Sequence, residues 1–322
     1  MNDIENSIFS IKSDEEFERL ALEIYRFQSI HTKVYQEFIK KLNRPTPKTI
    51  FEIPFLPISF FKTHEIRTNT FPFNQLFKSS GTGGNRSSHY VEKLALYDTS
   101  FERTYRNQLG NPEDQVIIAL LPNYVSQGES SLVYMVDRLI QLSKNPLSGY
   151  YLENKLEIEN AYKQAISEGK KVIVFGVSYA LLDLAEANTN LSQATIIETG
   201  GMKGRRKELT KEELHHELMK GLNVSFIASE YGMCELLSQS YSNQDGIFES
   251  PPWMKILIRE MNDPFGYIED GKTGGINVID LANLYSCSFI STQDLGKTMG
   301  NQFQLMGRFD NSDVRGCNLL LG

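Results

Sequence analysis

Hydrophobic and polar positions follow two different periods along this chain. Near its start, Phe17, Leu20, Ala21, Ile24 and Tyr25 recur at three- and four-residue spacing, which is the stripe of a helix with one buried face. Ser13-Asp14-Glu15-Glu16 stands just before that stripe as a capping box, so the helix is expected to open there. The N-terminal helical region is expected to end near Pro45. From Phe51 onward short β-rich runs alternate with helical stretches: 116–121 then 131–143, 171–175 then 179–187, and 195–197 then 210–220. Thr210 and Glu213 form a second capping box. Such alternation predicts an α/β fold with a mainly parallel sheet flanked by helices. After Pro251 strands and tight turns take over, at 255–259, 275–280 and 286–292, and predict a smaller β subdomain. The expected division is a helical region over 1–50, an α/β core over 51–250, a β-rich subdomain over 251–307 and a tail over 308–322.

Composition narrows the class of partner. The 322 residues are 40% hydrophobic and 23% charged, ordinary usage for a globular enzyme with a large core. A net charge of −7 with no basic run argues against a nucleic-acid partner. Cys234, Cys287 and Cys317 make neither a metal spacing nor a disulfide framework, which fits a reducing, cytoplasmic setting. Residues 1–30 are too polar for a signal peptide, and no apolar run approaches a membrane span.

Candidate chemistry begins at Lys78-Ser79-Ser80-Gly81-Thr82-Gly83-Gly84-Asn85-Arg86. Glycines permit turns that aim successive amides at one anion, and Ser79, Ser80 and Thr82 add uncharged donors. This is a phosphate cradle or, on the bland alternative, a flexible Gly/Ser surface loop. The nearest cations are Lys78 and Arg86, because no Lys follows the glycines. A second segment, Ser229-Glu230-Tyr231-Gly232-Met233-Cys234-Glu235, follows the β-rich run 224–227, placing Tyr231 and Glu235 just past a strand end, where ligands of parallel sheets sit. Ser291-Thr292-Gln293-Asp294-Leu295-Gly296 and Gly307-Arg308-Phe309-Asp310 come after it in that order. The stretch from Gly266 to Thr273 fits the P-loop pattern by letter alone. A strand-like run follows it where a P-loop needs a helix, so a turn around Asp270-Gly271 is expected.

With these four segments in one order, the chain resembles the adenylate-forming superfamily of acyl-CoA synthetases, adenylation domains and luciferases. Within it the sequence is similar to the acyl-protein synthetase (long-chain fatty acid:luciferin-component ligase) family. That likeness rests on Ile53-Pro54-Phe55-Leu56-Pro57-Ile58-Ser59-Phe60-Phe61-Lys62, Ser130-Ser131-Leu132-Val133-Tyr134-Met135 and Glu198-Thr199-Gly200-Gly201-Met202-Lys203-Gly204. The resemblance implies activation of a fatty or aromatic carboxylic acid by ATP and Mg²⁺ to an acyl-adenylate, then acyl transfer to a thiol. It implies that Ser79, Ser80, Gly81, Thr82, Gly83 and Gly84 wrap phosphates, Tyr231 lies against adenine, Glu235 holds the metal, and Asp294 takes the ribose hydroxyls with help from Arg308. Gly200 and Gly201 would border the adenine, and Leu121, Pro122, Tyr124, Leu132 and Tyr134 would line the acyl pocket.

Two departures matter. Cys234 stands where many superfamily members have Thr before the metal-binding Glu. The sequence given also ends soon after the hinge-like Gly307-Arg308-Phe309-Asp310, so the small mobile domain of most relatives is expected to be lacking, and adenylation would lean on Lys78, Arg86 or Lys203. Cys317, two residues after Arg315, is the candidate acyl acceptor, since relatives are acylated on their own chain near the C-terminus. CoA or a separate protein are the other acceptors, and a non-catalytic nucleotide- or acyl-binding partner of a multienzyme complex is the reading of a different class. His215 and His216 are expected at a helix surface, and His89 either touches substrate or packs.

Overall fold

The computed structural model describes residues 2–80, 86–121, 128–151, 155–200, 209–242 and 245–309. Helix α1 (Asn2–Ile8) precedes α2 (Asp14–His31), whose N-cap Ser13 accepts the Glu16 N–H at 3.3 Å. Half of the expected capping box is displaced by one residue, because the Glu16 carboxylate takes the N–H of Lys12 at 2.8 Å. The predicted stripe is buried, with Gln28 added to it, and α3 (Lys33–Leu42) ends at Asn43 in the left-handed region.

Twelve strands form one mixed sheet. Its parallel part is β5 (Gly149–Tyr150), β4 (Gln115–Leu120), β6 (Lys171–Gly176), β7 (Ala194–Glu198) and β8 (Ala228–Tyr231), in that spatial order. Strand β4 is buried along its whole length and β6 from Val172 on, as apolar runs covered on both faces require. Helices α5 (Ser131–Ser143), α6 (Lys155–Ser167), α7 (Ser178–Glu186) and α8 (Lys211–Leu222) provide cover, together with α4 (Leu94–Leu109). The Thr210–Glu213 box at the start of α8 is complete in both directions.

From β8 the ladder continues antiparallel through β9 (Ser240–Ser242), β10 (Ile247–Glu249), β14 (Gln302–Arg308), β13 (Phe289–Met299), β12 (Gly274–Asp280) and β11 (Met254–Arg259). A short β1 (Leu56–Pro57) pairs parallel with β13, Leu56 opposite Ile290. The α/β class expected from the sequence holds, with a longer antiparallel part than the pattern indicates. Strand β13 runs on to Met299 because Thr292, Asp294, Gly296 and Thr298 occupy its buried phase, polar or small residues that hide the alternation. The P-loop-like letters lie in the connection between β11 and β12, with Gly271 at φ 84° and a strand, not a helix, following. The N-terminal helices pack on the antiparallel part: Tyr25 and Tyr35 meet Phe289, and Lys255 pairs with Asp14 at 2.6 Å.

Helices α7 and α8 cross at Gly221, where an added Cβ would lie 2.4 Å from the carbonyl oxygen of Ala185. Helix propensity favours Ala over Gly by about 1 kcal/mol, whereas forcing a methyl onto packed backbone costs about 1–3 kcal/mol. Gly221→Ala is therefore expected to lower the denaturant midpoint, and an unchanged or higher midpoint would show that the helices slide apart freely.

Candidate active site

Strands β2 (Gln75–Lys78) and β3 (Ser88–Val91) form a hairpin, with Phe77 opposite His89 and Lys78 opposite Ser88. The Ser/Thr/Gly stretch joins them, and its base is pinned twice: the Ser79 N–H donates to Ser87 O at 3.0 Å and the Ser87 N–H donates to Ser79 Oγ at 2.9 Å. Ser80 is exposed; Gly81, Thr82, Gly83 and Gly84 lie outside the described residues. Lys78 and Arg86 are not free cations. Glu129, which precedes the N-cap of α5, takes Lys78 Nζ at 2.5 Å and Arg86 Nη1 at 3.1 Å, while Arg86 Nε donates to Ser79 O at 2.6 Å. Lys78, then Arg86, hold the Glu129 carboxyl below its ordinary value. Such partly solvated pairs are weak, so phosphate charge at the loop can compete with Glu129 for both cations.

The second expected segment begins later than its apolar run indicates. Residues 224–227 precede the strand, and Tyr231 is the last residue of β8. Glu235 follows in a turn that buries it to 5% exposure. Burial pushes its carboxyl up, against which the Ser87 hydroxyl bonds the charged form and Arg308 and Lys62 add positive charge. Hairpin and turn thus meet at Ser87 and Glu235. Their backbone junction is equally fixed: His89 Nδ1 lies 2.8 Å from Cys234 O, His89 Nε2 lies 3.0 Å from Asn283 Oδ1, and Asn283 Nδ2 donates to Glu235 O at 2.8 Å. Beyond it, Asp280 accepts the N–H groups of Leu237 and Ser238 and the Ser238 hydroxyl. His89 therefore packs, its proton affinity pushed down to about 4 by burial.

On the other side of the turn, Tyr231 donates its O–H to Asp294 Oδ2 at 3.2 Å, and Arg308 Nε donates to Asp294 Oδ1 at 2.9 Å. Asp294 and Arg308 are cross-strand partners, and the Tyr231 ring rests against Phe248 and Phe303. Gly200, just past β7, has open space where a Cβ would stand, while a Cβ on Gly232 would lie 2.1 Å from Glu230 Oε1. Gly201, Lys203, Pro122, Tyr124, Asp310 and Cys317 lie outside the described residues. Leu121 is buried, and Leu132 and Tyr134 on α5 are half-buried, Tyr134 among Phe77, Tyr97 and Phe101. His215 departs from its expected surface position: it is half-buried, with Nε2 3.4 Å from Ser229 Oγ, and His216 alone is exposed. Glu129, Asn283, Asp280 and Glu230 carry no spacing signature, so sequence reading passes over them.

This architecture is that of the large domain of adenylate-forming enzymes. ATP-bound MatB from Rhodopseudomonas palustris aligns with a TM-score of 0.56 at 16% identity over 73% of this chain and 48% of its own. 2-Hydroxyisobutyryl-CoA ligase in its postadenylation state with 2-HIB-AMP aligns with a TM-score of 0.63 at 10% identity over 94% and 70%. The amide bond synthetase McbA from Marinactinospora thermotolerans aligns at 0.51, with 15% identity over 74% and 49%. The chain spans about half the length of MatB and McbA. The sequence model of the family described as acyl-protein synthetase, LuxE, matches residues 9–322, and the chain belongs to that family. No curated protein matches its sequence.

Burial, then the charge of Glu198, raise the Glu230 carboxyl from 4.5 to about 8. The folded state thus keeps a proton that the unfolded chain releases, and stability falls as pH rises through that window. Glu230→Gln, neutral throughout, is expected to gain thermal stability over the wild type above pH 8 and not near pH 4.5. An equal difference in melting temperature at both pH values would show that Glu230 is ionised in the fold.

Proposed function

We propose that this chain activates a fatty or aromatic carboxylic acid with ATP and passes the acyl group to a thiol. The convergence of the Ser79–Ser87 hairpin base, the Glu235 turn and the Tyr231–Asp294–Arg308 group carries this reading. In the proposed first step a substrate carboxylate oxygen bonds to the α-phosphorus of ATP, and the bond from that phosphorus to the bridging oxygen breaks, releasing pyrophosphate. Nothing need be protonated for that exchange, so the task of the site is alignment and charge neutralisation. Residues 79–84 would cradle the phosphates, Lys78 and Arg86 would exchange Glu129 for phosphate oxygens, and Asp294 would turn from Tyr231 and Arg308 to the ribose hydroxyls. Tyr231 would border the adenine together with the backbone of Gly200 and Gly201.

Among the described residues no group of three or more side chains could hold a metal. Mg²⁺ does not need one, since it takes most of its six oxygens from phosphate and water, and the single buried oxygen donor of Glu235 fits that requirement. Bound there, the ion would offset phosphate charge. Glu235→Gln is expected to cut acid-dependent ATP–pyrophosphate exchange by about two orders of magnitude or more without changing the fold. Exchange at the wild-type rate would remove Glu235 from the site.

The burial of two of the three cysteines supports Cys317 as the proposed acceptor. Cys234 and Cys287 are buried, and burial pushes both thiols up, Cys287 to about 12, so neither presents a thiolate at neutral pH. Cys317 is the remaining cysteine, flanked by Arg315. Incubation with ATP and a labelled fatty acid should leave a hydroxylamine-sensitive label on the wild type and none on Cys317→Ser. Label retained on the variant would exclude Cys317, and label appearing on CoA or a second protein would move the acceptor there.

A further inference from the structure

Side chains alternate faces along β8, so Glu230 points away from Tyr231. Its cross-strand partner is Tyr241, whose O–H lies 3.8 Å from Met135 Sδ of α5 and whose ring meets Tyr105 of α4. Glu230 therefore looks into the layer of α4 and α5, where Phe77, Tyr97, Phe101 and Tyr134 form a contiguous aromatic wall. Gln239 reaches the same place: the position a Cβ would take on Gly232 lies 2.1 Å from Glu230 Oε1 and 3.2 Å from Gln239 Cγ.

Both side chains are left with open hydrogen-bonding capacity. Gln239, 3% exposed, gives its Nε2 to the Tyr97 hydroxyl at 3.5 Å, and Tyr97 spends its own hydrogen on Ser131 O at 2.9 Å. Gln239 Oε1 is buried with no partner. The Glu230 carboxyl makes no hydrogen bond among the described residues, although burial favours its protonated, donating form. Buried polar atoms in a folded protein are as a rule paired, so the open Gln239 Oε1, beside the half-buried Glu230 carboxyl and an aromatic wall, calls for a further group at that place.

Resting on the acid-activating reading above, we propose that Glu230 and Gln239 form a polar subsite beside the aromatic wall of α4 and α5, which takes a hydrogen-bond-donating O–H or N–H group carried by the acid substrate. Gln239 Oε1 accepts from that group, and the Glu230 carboxyl bonds its lone pair or a second hydrogen. The adenine amino group is excluded as occupant because Tyr231, its expected neighbour, faces the opposite side of β8. The substrate class narrows accordingly to hydroxylated or amino-substituted alkyl or aryl acids.

The test is calorimetric titration of the full chain, without ATP, against matched straight-chain and aryl carboxylic acids, each unsubstituted, hydroxylated and amino-substituted at successive positions. A site built around a donor rejects the analogue lacking it, so at least one substituted acid should bind about tenfold or more tightly than its unsubstituted parent. Gln239→Leu should erase that preference; should it not fold, Gln239→Met gives the same readout. The hydroxyl and amino arms separate the two donors. Equal binding of parent and substituted acids, or no binding by any acid, overturns the proposal, a resident water then serving both side chains. Preference retained in the folded variants overturns the assignment to these residues. Pyrophosphate exchange with the tightest acid is scored separately: its absence defeats the activation reading and leaves the binding preference standing.

Discussion

The candidate site depends on the side chain of Asn283. Its Nδ2 donates to Glu235 O and Cys287 O, its Oδ1 meets His89 Nε2, and its own carbonyl accepts from Gln28 of α2. The side-chain amide thereby joins the hairpin, the Glu235 turn and the turn before β13, and the main-chain carbonyl of the same residue ties in the N-terminal helices. Any replacement strands several buried polar groups at once, each costing about 1–3 kcal/mol, which no gain in apolar burial at one position offsets. The carboxylate of Glu235 is placed by backbone held in this way, and the Ser87 hydroxyl and a backbone N–H bond its side chain.

Charge in the site is arranged on the same economy. Asp294 and Glu129 each occupy cations and donors that the proposed function assigns to a nucleotide, Asp294 through Tyr231 and Arg308, Glu129 through Lys78 and Arg86. On that proposal the protein's own carboxylates satisfy these groups and hold the side chains in place before a ligand arrives. Glu230 stands apart from this arrangement, since among the described residues the charge that acts on it is that of the like-charged Glu198.

The parallel half of the fold was legible in the sequence because burial on both faces leaves uninterrupted apolar runs, as in Gln115–Leu120 and Lys171–Gly176. The helix starts at Ser13 and Thr210 were legible from local capping chemistry. Strand β13 beyond Thr292 was not, since its buried positions are Asp294, Gly296 and Thr298. Motif order brought Tyr231, Glu235, Asp294 and Arg308 to attention. It could not supply Glu129, Asn283 or Asp280, whose importance lies in partners from remote segments: Asn283 and His89 meet across the whole α/β core. Nor could it tell that Lys78 and Arg86 share one carboxylate.

The pairing of Leu56 with Ile290, and the docking of α2 on β13 through Tyr25 and Gln28, also set a schedule for the growing polypeptide. The apolar face of α2 is made well before its partner strand, which follows only after the whole parallel part of the sheet. Until β13 is made, Tyr25 and Gln28 lack the segment they dock on, while the parallel strands between can already assemble. Chain elongation at about 5–20 residues per second makes that interval tens of seconds long. Over that interval the nascent chain carries the docking face of α2 without its strand, a demand placed on folding during synthesis and not on the finished fold.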